Sequence, residues 1–206
     1  MLITIFSLIV LLFSMVIHEI AHGSMAFYLG DPTAKESGRL TLNPLRHLDP
    51  LGSIFLPLFL LVMTGGQGPI FGWTKPVPVN PYNFRDQKWG ILKVAIAGPA
   101  MNFLIATIFG LLIRFFTLPF SFFLFFSIIA IYNLAWGIFN LVPISPLDGS
   151  HILFTFLPAR TLNIKIFLQQ YGFLILFFLI FSGLLDWISP LAMFFYSLIS
   201  GRPFPI

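Results

Sequence analysis

Residues 2–29 read LITIFSLIVLLFSMVIHEIAHGSMAFYL. The stretch has no proline, and its first charged residue is Glu19. About 20 apolar residues suffice for a helix to cross the hydrocarbon core of a bilayer, so this run is long enough to span. No basic segment precedes it and its apolar character continues past residue 22, so the reading is a retained helix and not a cleaved leader. Three ionisable side chains, His18, Glu19 and His22, lie more than halfway along it. A charged group at the bilayer centre costs at least about 2.5–3.5 kcal/mol, so such groups mark a paired cluster or a functional site.

The three fall in the pattern H-E-x-x-H. On a helix, positions i and i+4 share one face, about 6 Å apart along the axis. Two imidazoles so placed can bind one Zn²⁺ at about 2.0–2.1 Å each. Glu19, about 100° round the helix, stands beside the metal where it can accept a proton from water. The competing reading is a satisfied polar cluster within a helix bundle. A catalytic zinc that keeps a position open needs a third protein ligand. With no cysteine in the chain, the candidates are His47, His151 and the aspartates. Asp148 stands out in NLVPISPLDG (residues 140–149), where two prolines must break the preceding helix. Broken backbone at membrane depth is tolerated where it is buried in protein or lines a wet cavity, and Asp148 beside a flexible Gly149 suits a carboxylate aimed into one. A helix-ending Asp-Gly turn at the interface is the plainer alternative. His47, within NPLRHLDP, suits a structural hydrogen bond in a loop, and His151 a residue beside the site.

The rest of the chain extends the membrane reading. Of 206 residues, 58% are hydrophobic and 9% charged, and the mean hydropathy is +0.96; soluble domains carry about 25% charged residues. The expected architecture is an all-α polytopic membrane protein with about five transmembrane helices, at residues 2–29, 91–116, 120–142, 166–184 and 187–200. A short segment at 51–63, interrupted by Pro57, reads as re-entrant or as a sixth element. Glu36–Asn43 (ESGRLTLN) has short-strand character and suggests a small β-hairpin-like loop after the first helix. The whole of 1–206 reads as one membrane-embedded domain, with a catalytic core over about 1–153 and accessory helices over about 160–206. If 51–63 dips in and returns, ten of the 11 Lys and Arg residues share one side and Arg114 alone takes the other. The positive-inside rule puts the ten in the cytoplasm. Trp73, Trp89, Trp187 and Tyr82 read as interfacial anchors, and the 27 phenylalanines as packing and lipid-facing bulk. No basic cluster is interleaved with aromatics, which argues against a nucleic-acid partner.

HEIAH on the first span and NLVPISPLDG on a later one resemble the site-2 protease family of intramembrane zinc metalloproteases. GRLTLNPLRHLDPLGSIFLP (38–57), GWTKPVPVNPYNFRD (72–86) and AGPAMNF (97–103) extend the resemblance over roughly residues 14–153. The pattern is similar to the compact prokaryotic form, which lacks PDZ or CBS domains; Ser150 and His151 follow the Asp-Gly pair where many relatives carry Gly or Arg. The resemblance implies one zinc ion held by His18, His22 and Asp148, with Glu19 as catalytic base. It implies for Asn140 a hold on substrate or oxyanion, a task Asn102 could share; helix–helix hydrogen bonding is the alternative for either amide. It further implies membrane-spanning peptide or protein substrates, a prokaryotic cell membrane and an active site opening towards the cytoplasm. A substrate helix must unwind before attack, and a strand at Glu36–Asn43 would offer the extended peptide an edge. Two other classes use the same residues differently: a metal transporter or sensor, which would spread polar groups along a pathway, and a scaffold that binds membrane segments without cutting them.

Overall fold

The computed structural model describes residues 2–65 and 72–205. Eight α-helices are described: α1 (Leu2–Tyr28), α2 (Thr33–Glu36), α3 (Leu56–Met63), α4 (Gln87–Phe115), α5 (Phe120–Asn140), α6 (Asp148–Phe156), α7 (Leu162–Phe181) and α8 (Ile188–Ser200). Four of them, α1, α4, α5 and α7, are long and apolar enough to cross a membrane. The architecture is all-α and polytopic.

The long α4 lies at the centre and packs against α1, α5, α6 and α8. Lipid tails are as apolar as leucine, so helices in a bilayer associate through close packing of small residues and through polar contacts. Both occur here. Ala106 on α4, Ala130 on α5 and Ala192 on α8 are fully buried in one cluster with Ile113, Leu134 and Tyr196. The Tyr196 hydroxyl meets the Ser127 hydroxyl at 2.6 Å, tying α8 to α5. α7 is peripheral, with only Gly172 and Leu176 buried.

Three expectations change. The stretch from Glu36 to Asn43 is not a strand: Glu36 ends α2, and the backbone then runs through turns to Asn43, which caps a helical turn at Pro44–Arg46. Gly38 takes a left-handed φ of +65°, which breaks an extended run. The neighbouring segment carries prolines at 76 and 78, which lack the N–H groups that a ladder needs. The expected fifth span falls on α8, whose 13 residues cover about 20 Å of a core about 30 Å thick. Its end also lies elsewhere than expected. Arg114, at the end of α4, donates to the carbonyls of Leu198 and Ile199, and Arg202 sits over the ring of Phe123, near the start of α5. The tail therefore packs beside the α4–α5 connection, with Arg202 on the same side as Arg114. The apolar stretch over Pro50–Met63 is likewise shorter than the four long helices.

The helix break before Asp148 positions the site. α5 ends at Asn140, Pro143 and Pro146 hold the chain out of helix, and α6 begins at Asp148. Gly149 is present for close approach and not for flexibility: a Cβ there would collide with the backbone of Leu141 and Val142.

Candidate metal centre

α1 turns the His18 and His22 rings towards α4. His22 Nδ1 lies 2.7 Å from the carbonyl of Val94. A carbonyl only accepts, so Nδ1 carries the hydrogen and, in the neutral ring, Nε2 presents its lone pair. His18 Nδ1 lies 2.6 Å from Asn102 Oδ1. The Asn102 amide nitrogen donates to the Ser14 carbonyl at 3.2 Å and to Asn133 Oδ1 at 2.9 Å, which fixes Oδ1 as the acceptor and gives His18 the same tautomer. Gly98, one turn before Asn102, makes the room: a Cβ there would strike both imidazoles.

The two Nε2 atoms are 2.9 Å apart. Asp148 Oδ2, carried in from the far side of the proline break, lies 3.0 Å from His18 Nε2 and 3.2 Å from His22 Nε2. This oxygen is shielded from solvent and receives no hydrogen bond. Three electron-pair donors facing one another without a hydrogen between them repel, and a shared cation relieves that repulsion. Tetrahedral zinc with bonds of about 2.0–2.1 Å sets its donors roughly 3.3 Å apart, close to the spacing here. The donor set of two imidazoles and one carboxylate is of the kind that leaves a fourth position open. Among the described residues this is the one His/Asp/Glu group so assembled.

Beside it opens a cleft of about 990 Å³, lined among others by Glu19, Val77, Asn140, His151 and Lys165. Glu19 Oε2 accepts a hydrogen bond of 2.8 Å from the main-chain N–H of Val77. Asn140 donates one amide hydrogen to the Trp136 carbonyl at 3.0 Å, leaving a second for the cleft. Asn102 is fully buried and is not part of the cleft wall; its amide is committed to His18, Ser14 and Asn133. His151 is exposed in the cleft, outside the ligand triangle. His47 is fully buried away from it, its Nε2 donating to the Thr41 carbonyl at 2.9 Å.

Two contributors were not visible as such in the sequence. Val77 acts through its backbone, which no residue type announces. Asp31 is completely covered and accepts from the Asn80 N–H and the Asn83 amide, both at 2.7 Å, and from the Thr33 hydroxyl and N–H. Its carboxyl is held between its own loop and the 80–83 segment. Burial pushes it up, and the donors from Thr33, Asn80 and Asn83 outweigh that, holding it below the usual carboxylate range. The available signal was Asp-Pro-Thr directly after a helix, an Asx-turn pattern.

The model of peptidase family M50 matches residues 117–181, which include the Asn140–Gly149 break. The chain is 39% identical over 176 residues to the Bacillus subtilis protein named "Putative zinc metalloprotease YwhC", covering 81% of this chain and 76% of the relative. It is 32% identical over 189 residues to the Mycolicibacterium smegmatis protein named "Putative zinc metalloprotease Rip2", covering 90% and 70%. No solved structure matches.

Proposed function

Because the chain belongs to peptidase family M50, the site-2 protease family, we propose that it is an intramembrane zinc endopeptidase that cuts membrane-anchored proteins or peptides in or near the bilayer. In this reading His18, His22 and Asp148 hold one Zn²⁺, Glu19 is the general base, and the cleft opens towards the cytoplasm. The observation that carries it is the convergence of three donor atoms within 3.2 Å of one another, two on a membrane helix and one at the start of α6, beside a carboxylate in a cleft.

Zinc bound there supplies a Lewis acid that polarises a carbonyl and lowers the pKa of water to about 7. Glu19 takes a proton from the attacking water and later delivers it to the leaving amine nitrogen. Asn140 offers its remaining amide hydrogen to the substrate carbonyl as negative charge develops there. Asn102 and the Val94 carbonyl keep both imidazoles in the tautomer that turns Nε2 to the metal, a task typical of the groups behind metal ligands. A substrate helix must expose its backbone before attack, and the proline-broken segment from Leu141 to Leu147 places this chemistry where local backbone is already irregular.

The test is Glu19→Gln in proteoliposomes carrying a single-span substrate. Cleavage should fall by about 10²–10⁴-fold, with zinc content unchanged. Equal cleavage by the variant removes Glu19 as base. Zinc movement across the membrane that survives the substitution, in protein that never cuts, would establish the transporter reading.

A further inference from the structure

Residues 72–80 (GWTKPVPVN) form neither helix nor strand, and Val77 within them is buried. Pro76 and Pro78 flank it. Proline fixes its own φ near −65° and pushes the residue before it into extended backbone, so Lys75 to Pro78 is a stiff strap. Between Lys75 and Val79 it has a single N–H, that of Val77, because proline has none. The strap is tied at both ends. The Lys75 N–H donates to the His47 carbonyl at 2.8 Å, and Arg39 Nη2 donates to the carbonyls of Lys75 and Pro76 at 3.4 and 3.3 Å. At the other end the Asn80 N–H is held by Asp31 Oδ2 at 2.7 Å. Its lone interior donor meets Glu19 Oε2 at 2.8 Å.

We propose that the main-chain N–H of Val77 is the positioning group for Glu19, fixing one carboxylate oxygen and leaving the other to take the proton of the attacking water. The Pro-Val-Pro sequence serves this by making the donor stiff and by removing neighbouring N–H groups that would compete for the carboxylate. A general base works only within hydrogen-bond reach of its proton, and small misplacements are costly. The role rests on the endopeptidase reading; the contact between Val77 and Glu19 does not.

Two measurements on zinc-loaded full-length protein in lipid nanodiscs test it. In ¹⁵N-valine-labelled protein, the Val77 amide hydrogen should exchange about tenfold faster or more in Glu19→Ala than in wild type, the loss expected for one hydrogen bond to a charged acceptor. An unchanged rate overturns the proposal. In the second, fluorescein-labelled casein is the probe, an unfolded chain that needs no helix opening. Val77→Pro deletes the N–H in a segment already shaped by proline, and Val77→Ala keeps it. Val77→Pro should show a kcat about 10–100-fold below that of Val77→Ala, at similar KM and equal zinc content. Equal kcat values in the two variants overturn the proposal. Should Val77→Pro fail to hold zinc, or wild type fail to cut casein, the exchange measurement still decides the contact; failure of wild type to cut the single-span substrate in proteoliposomes sinks the endopeptidase reading by itself.

Discussion

Asn102 illustrates how much a single buried amide decides. One side-chain oxygen sets the tautomer of His18, and its nitrogen ties α4 to α1 through Ser14 and to α5 through Asn133. Asn102→Leu removes the acceptor while keeping the volume, and zinc affinity should fall about 10–100-fold, as for other groups behind metal ligands. Chelator competition on purified protein measures this, and an unchanged affinity would reduce Asn102 to helix–helix packing. The sequence could not separate these roles, because an amide within a span is required to hydrogen-bond something and its partner is a tertiary fact. His18, Glu19 and His22 were legible because helical spacing alone places them together, and Asp148 because so few acids compete with it. Gly149 was misread: its lack of a Cβ admits the backbone of Leu141 and Val142, a contact that no local pattern encodes.

At the scale of elements, the strap over 72–80 depends on a latch at Asp31. Asp31→Ala leaves the Asn80 N–H and the Asn83 amide without their acceptor, a loss of about 1–3 kcal/mol for groups that bonded a charge. Amide exchange across residues 77–83 should rise in the variant relative to wild type. The folded-state pKa of Asp31 lies below its ordinary value, so its stabilisation is complete above the unfolded-chain value and is lost as pH falls through the folded one. The difference between wild type and variant should therefore be largest near neutral pH and shrink on strong acidification. A difference that grows with acid would contradict the latch. The strand expected at Glu36–Asn43 failed at this same scale. Its residue types suit a strand, but strands need partners, and the neighbouring segment among the described residues is stiffened and stripped of donors by prolines.

For the whole molecule, four long apolar helices and the clustering of Lys and Arg were plain in composition, since hydropathy and charge bias need no tertiary information. The destination of the C-terminal helix was not, because 13 apolar residues fit either a short crossing or a helix packed within the bundle. Contacts of Arg114 and Arg202 place its end with the α4–α5 connection. The absence of cysteine allows a clean topology test with exposed Ser37 and Thr117 changed singly to cysteine. A membrane-impermeant maleimide should label Ser37→Cys only from the cytoplasmic side and Thr117→Cys only from the opposite side. Labelling of both from one side would contradict the arrangement.

The proposal that α1 and α6 share one zinc ion is tested most directly by zinc K-edge X-ray absorption on the purified protein, with Asp148→Ala alongside. Wild type should hold one zinc per chain with two imidazoles and oxygen donors at about 2.0–2.1 Å, and the Asp148→Ala spectrum should keep both imidazoles while losing a carboxylate. A wild-type spectrum with other than two imidazoles, or one that Asp148→Ala leaves unaltered, would contradict it.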